Sequence, residues 1–124
     1  MLNAAEISRE LIRIGERLTE TNSTLKIDEA LKSFSDVVRS SKCEALLEGE
    51  ILRQVESVQG LTVPVEIIQY VAHVFAWPSL RRAVATLLIE ARSSDLRGAR
   101  ALELIDESLS EDWEDRDLFP SLCG

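Results

Sequence analysis

The sequence is poor in the residues that catalysis and metal binding use. It has one histidine, His73, and two cysteines, Cys43 and Cys123. A Ser–His–acid arrangement needs a nucleophile held within hydrogen-bond reach of the base, and no nucleophile elbow is present. The cysteines are far apart, with no nearby ligand partners, so they read as free thiols rather than a zinc site or a disulfide framework. There is no glycine-rich phosphate loop and no carboxylate spacing of the EF-hand type. No metal and no cofactor is expected. Long apolar runs are also missing: Glu66, Gln69 and His73 interrupt the best candidate well short of the ~18–20 residues of a membrane span. The first residues lack the basic region and apolar core of a signal peptide, so the expectation is a cytoplasmic protein without a membrane partner. Positive charge is scarce, with 14 Lys and Arg against 22 Asp and Glu, a net charge of −8. Binding to nucleic acid needs clustered bases, so none is expected, and the favoured partners are basic.

The 124 residues, 45% of them hydrophobic, fit one domain, residues 1–124, with a real core. Its most apolar stretch runs from Leu61 to Ala91, divided by Trp77-Pro78. Pro64 and Pro78 each precede a run with helical spacing, a position where the missing N–H costs nothing. Thr62 reads as the N-cap of the first helix. Val63, Ile67, Ile68, Val71, Ala72, Val74 and Phe75 cover most of its surface. The second buries Leu80, Val84, Leu87, Leu88 and Ala91. A residue before proline avoids the helical region, so Trp77 is the expected corner, its indole covering both helix ends.

Four further helices flank this pair. Asn3 to Glu6 is a capping-box start for a helix with Ile7, Leu11, Ile14 and Leu18 inward, where Gly15 marks a close helix contact. Thr19 to Thr24 reads as a loop. Asp28 is the expected cap of the next helix, with Ile27, Leu31, Phe34 and Val38 on its stripe. Ser41 to Glu44 is a second capping box, ahead of Leu47, Ile51, Val55 and Val58, and Gly60 is the natural C-cap. After a connector at Ser93-Ser94-Asp95, the stripe Leu96, Ala99, Leu102, Ile105, Leu109 closes the series. No strand alternation of useful length occurs. The expectation is therefore all-α, about six antiparallel helices. The two proline-led helices resemble HEAT-type pairs, but no repeat occurs at a fixed period, so a compact bundle and a short HEAT-like stack are both open.

Two places invite a functional reading. One is the narrow polar stripe Glu66, Gln69, Tyr70 and His73, spaced i, i+3, i+4 and i+7 on one helix face. Glu66 and His73 could form a base–acid pair, but an ordinary half-exposed helix face is the simpler reading. The other is the acidic end. Asp106, Glu107, Glu111, Asp112, Glu114, Asp115 and Asp117 face only Arg116, so twelve residues hold −6 of the net −8. Trp113, Leu118 and Phe119 interleave with them, and tryptophan is a common interface anchor. Residues 110–124 thus read as an acidic tail on or beside the core. It either binds a partner or folds back on the basic face of Arg81, Arg82, Arg92, Arg97 and Arg100, and the two uses are compatible.

A small acidic helical chain without catalytic apparatus is most economically a binding protein and not an enzyme. In size, charge and helical build it resembles the immunity proteins of bacterial toxin systems, such as those of contact-dependent growth inhibition. The resemblance implies that the protein binds and neutralises one cognate toxin domain, often a basic nuclease, with the acidic residues and Trp113 at the interface. The alternative is a helical adaptor or regulatory subunit that docks a cellular partner through a groove or through the Glu66–His73 stripe.

Overall fold

The computed structural model describes residues 2–57 and 61–122. Within them are six α-helices and no strand: α1 (Ala4–Thr21), α2 (Asp28–Ser40), α3 (Glu44–Glu56), α4 (Val65–Phe75), α5 (Pro78–Ser94) and α6 (Leu96–Ser108). Short 3-10 turns lie at Thr24–Lys26, Glu114–Leu118 and Pro120–Leu122. Val58, Gly60 and Cys123, assigned above to a stripe, a cap and a thiol, lie outside the described residues.

The helices form two rows. α1 packs on α3 and α3 on α5, while α2 packs on α4 and α4 on α6. The most extensive pairing, α5 with α6, joins the rows at one end. Alternation of this kind is the geometry of a short stack of helix pairs, each buried against the next. The expected stripes form the shared core: Ile7, Leu11 and Ile14 of α1, Leu31 and Val38 of α2, Leu47 and Ile51 of α3, Ile67 and Val71 of α4, Leu80 and Val84 of α5, and Leu102 and Ile105 of α6 are all buried.

Two local expectations hold in detail. Asn3 and Glu6 form a reciprocal capping box, with Glu6 N–H donating to Asn3 Oδ1 at 2.8 Å and Asn3 N–H to Glu6 Oε1 at 3.2 Å. Gly15 marks a close approach: a Cβ built there would lie 2.7 Å from the Pro64 Cδ. At the central corner Pro78 opens α5 and Trp77 is extended. Ala76 closes α4 in the left-handed region at φ 49°, the expected conformation for a helix C-cap but an unusual one for alanine. The Trp77 indole is half-buried, stacked on Phe75 at 5.0 Å between ring centres.

Elsewhere the local signals were taken up differently. α1 continues to Thr21, with the Thr19 and Thr21 hydroxyls turned back to donate to the Gly15 and Arg17 carbonyls, and Asn22 ends it in the left-handed conformation. Ser41 makes no capping box. The chain turns at Lys42 (φ 57°) and α3 starts after Cys43 without a side-chain cap. Thr62 does not cap α4, whose N-cap is Pro64. The buried Gln54 of α3 claims Thr62 instead, donating to its hydroxyl at 2.7 Å and accepting its N–H at 3.2 Å. Asp28 likewise caps no helix, because its carboxylate is used by the tail. Leu96 was expected in the core and is 80% exposed, since it opens α6 at the outer corner of the turn from α5.

Candidate functional site

The acidic end is a strap. Past α6 the chain turns back across α4 and ends against the start of α2, along the outside of the even-numbered row. Trp113 lies beside His73 of α4, with ring centres 5.3 Å apart. Phe119 meets Tyr70, one turn earlier on α4, edge to face at 5.1 Å. The Tyr70 hydroxyl and Ser121 Oγ are 2.9 Å apart, and Ser121 in turn donates to Asp28. The Thr24 hydroxyl donates to the Leu118 carbonyl at 2.7 Å. Trp113 and Phe119 are 3% and 1% exposed, so two large apolar groups pin a segment that is otherwise charged.

This arrangement decides the fate of the polar stripe on α4. Gln69 and Tyr70 are buried and His73 is half-buried. Gln69 Nε2 donates to the Leu104 carbonyl at 2.8 Å, and His73 Nδ1–H donates to the Ser108 carbonyl at 2.9 Å. That bond places the ring proton on Nδ1 whenever His73 is neutral. Arg81 of α5 donates to the Leu109 carbonyl at 2.8 Å. The Asp106 and Glu107 carbonyls accept from the Leu109 and Ser110 N–H groups, and side chains of α4 and α5 satisfy the Ser108 and Leu109 carbonyls that follow, at a helix end where a cation is favoured. Gln69, Tyr70 and His73 therefore do not form the open partner face considered above. Burial pushes the Tyr70 phenol above its ordinary pKa, the Ser121 hydrogen bond opposes that shift, and Asp28 adds to it. Glu66 is separate, half-buried at the mouth of a groove beside Pro64 and Leu118. Glu66 and His73 face different surroundings and do not form a site.

The seven acids stand outward. Asp106, Glu107, Glu111, Asp112, Glu114, Asp115 and Asp117 are all exposed. Glu107, Asp112, Glu114 and Asp115, with Ser110, surround a concavity of about 360 Å³ whose wall includes Trp113. Local bonds shape this surface: Arg116 Nη1 donates to the Glu111 carbonyl at 2.9 Å, and Asp112 N–H to Ser110 Oγ at 3.2 Å. The bulk of the Trp113 indole faces the core, so it cannot be the exposed anchor among the acids. Its Nε1 has no hydrogen-bond partner among the described residues. Nor is the seat of the tail the arginine face of α5 and α6. Arg92 and Arg100 lie 3.9 and 3.5 Å from Glu103, Arg81 holds the end of α6, and the tail lies on α4 and α2.

Exposed aliphatic groups, by contrast, do lie near the acids. Leu118 is 47% and Leu25 65% exposed, and both line one groove. Leu25 was overlooked. The available signal was a leucine outside the apolar period of both α1 and α2. Among the described residues no group of three or more His, Cys, Asp or Glu side chains could hold a metal ion, and no helix is long and apolar enough to cross a membrane. Compared with protein-family models, with curated proteins and with solved structures, the chain matches none of them.

Proposed function

We propose that this chain is a non-enzymatic binding protein of the immunity type. It would engage a basic, nuclease-type bacterial toxin domain through the acidic ridge Asp106–Asp117 and so neutralise it in the cytoplasm of the producing cell. One observation carries the reading: seven exposed carboxylates are presented together, Asp106 and Glu107 by the last turn of α6 and the other five by a strap that Trp113 and Phe119 anchor in the core. Concentrated like charge repels itself, and a fold that holds it in place has a use for it. A ridge already ordered loses less entropy on binding than a loose tail would. Facing a cleft that holds phosphates, such a ridge would offer carboxylates where the substrate offers phosphate oxygens.

The test is co-expression. The reading predicts a toxin domain encoded immediately upstream of the gene, and that domain is induced in a sensitive host with and without this chain. Rescue of growth and co-purification of the two proteins support the proposal. Unrelieved toxicity with the chain soluble and folded contradicts it.

A second reading, a helical adaptor, has one observation in its favour. A groove of about 410 Å³ runs between α1 and α2, with Leu2, Phe34 and Val37 on its floor and both Glu10 and Arg13 on its rim. Its mixed charge suits a neutral helix better than a basic domain.

A further inference from the structure

We infer that the docking surface continues from the ridge into an acidic-rimmed, apolar-floored groove along α1, and that this groove takes a basic amphipathic segment of the partner: aliphatic side chains flanked by lysine or arginine. The partner's sign rests on the ridge reading above, but the residues are different ones.

The groove is two adjoining depressions. One, of about 540 Å³, lies between α1 and the Leu61–Pro64 stretch. The other, of about 700 Å³, lies between the end of α1, the Thr24–Lys26 turn and the tail. Thr19 and Pro64 line both, so the two depressions adjoin. Leu18, Leu61 and Pro64 give it an apolar base, and Leu25 and Leu118 add exposed aliphatic walls. Its charged lining is of one sign. Glu16, Glu20, Glu66 and Asp117 contribute carboxylates, and no lysine or arginine is among the described residues that line it. The groove between α1 and α2 is different, with Arg9 and Arg13 beside Glu6 and Glu10.

Each feature specifies something about the occupant. An apolar floor is filled best by aliphatic side chains, which gain from leaving water. A rim of carboxylates attracts a cationic flank and repels an acidic one. Asp117 is both the last acid of the ridge and part of the groove, so a basic partner lying on the ridge reaches the groove without a break. The walls are held before binding, because the Thr24 hydroxyl ties the Leu118 carbonyl to the turn at the end of α1.

The experiment uses the full chain, labelled for amide NMR, and a short synthetic peptide of leucines flanked by lysines. Expected are shifts at Thr19, Leu25, Leu61 and Leu118. A control peptide with serine for leucine should bind about tenfold more weakly, as should the original peptide to Leu25→Ser or Glu20→Lys protein. Both substitutions are at exposed positions, and an unchanged melting temperature verifies the fold. The groove is overturned by shifts confined to Glu107–Asp115, by equal affinity for the serine peptide, or by no binding. Groove shifts that appear on concentrating the protein without peptide would assign the site to a second copy and overturn the basic segment. No toxin is present in this assay, so the two proposals fail separately. A peptide seated in the groove alongside failed growth rescue contradicts the immunity reading alone. Toxin binding unchanged by Leu25→Ser with Glu20→Lys contradicts the groove alone.

Discussion

The carboxylate of Asp28 receives both the backbone N–H and the hydroxyl of Ser121, 93 residues further along the chain, with Ser121 Oγ at 2.7 Å. Asp28 is the first residue of α2, where a negative charge complements the helix dipole. One side chain thus stabilises a helix start and fastens the end of the strap that carries the acidic ridge. Asp28→Ala should cost about 1.5–3 kcal/mol, the range for hydrogen bonds to a charged group. Hydrogen exchange should quicken at Phe119 and Leu122 more than in α1. Protection unchanged at those positions would show that Phe119 alone holds the strap.

The two tryptophans should differ. Trp113 is buried between His73 and Phe119, whereas Trp77 is half-buried and stacked on Phe75. Trp113→Ala should cost about 3–5 kcal/mol. Trp77→Ala should cost less, about 1–2 kcal/mol, because part of its surface is already in water and the stacked pair contributes only part of the loss. Denaturant melts of the two variants test the order, and a larger loss at Trp77 would contradict it.

Two helical glycines should respond with opposite signs. A Cβ at Gly49 meets nothing within 4 Å, so Gly49→Ala should raise stability by about 0.8–1 kcal/mol, the difference in helix propensity. At Gly15 the same change drives a methyl against the Pro64 ring and should cost about 1–3 kcal/mol. Melting temperatures that move the same way for both would contradict the packing of α1 on the start of α4.

Tyr70 is the one tyrosine in the sequence, so phenolate absorbance reports it alone. Its pKa is raised in the fold, chiefly by burial. The neutral phenol is therefore favoured in the native state, and its share of stability is full below the unfolded value of about 10. That share falls as pH rises from about 10 through the folded value, as the unfolded chain ionises first. Absorbance should accordingly titrate later in the native protein than in denaturant. Tyr70→Phe should flatten the alkaline loss of stability. Coincident titrations would mean that the phenol is open to water.

The six helices were legible because each carries an apolar stripe at helical spacing, and the Asn3–Glu6 box and Gly15 were read with their roles. Two of the three capping residues that failed share one cause. Asp28 and Thr62 are good local caps, but Ser121 and Gln54 reach them from elsewhere in the fold, and no local pattern shows that. The stripe Gln69, Tyr70 and His73 misled for a related reason. Polarity looks the same in a sequence whether a side chain meets water or the carbonyls of another helix. The acids of the ridge were legible as charge, but the path of the strap was not, because 3-10 turns leave no period to read. The scarcity of aromatic residues was the overlooked clue: Tyr70, Trp113 and Phe119 are half of them, and they meet in one cluster.

The most direct test of the acidic ridge as a binding surface is the association rate with the toxin domain that the proposed function calls for, measured across a range of salt for the parent chain and for Asp112→Lys with Asp115→Lys. Both positions are exposed, so the melting temperature of the double variant should stay within about 1 kcal/mol of stability of the parent. If the ridge meets a basic cleft, the parent's rate should fall steeply with salt, and the variant should associate about tenfold or more slowly at low salt with a flatter dependence. A folded variant that associates as fast as the parent, with the same salt dependence, would remove the ridge from the interface.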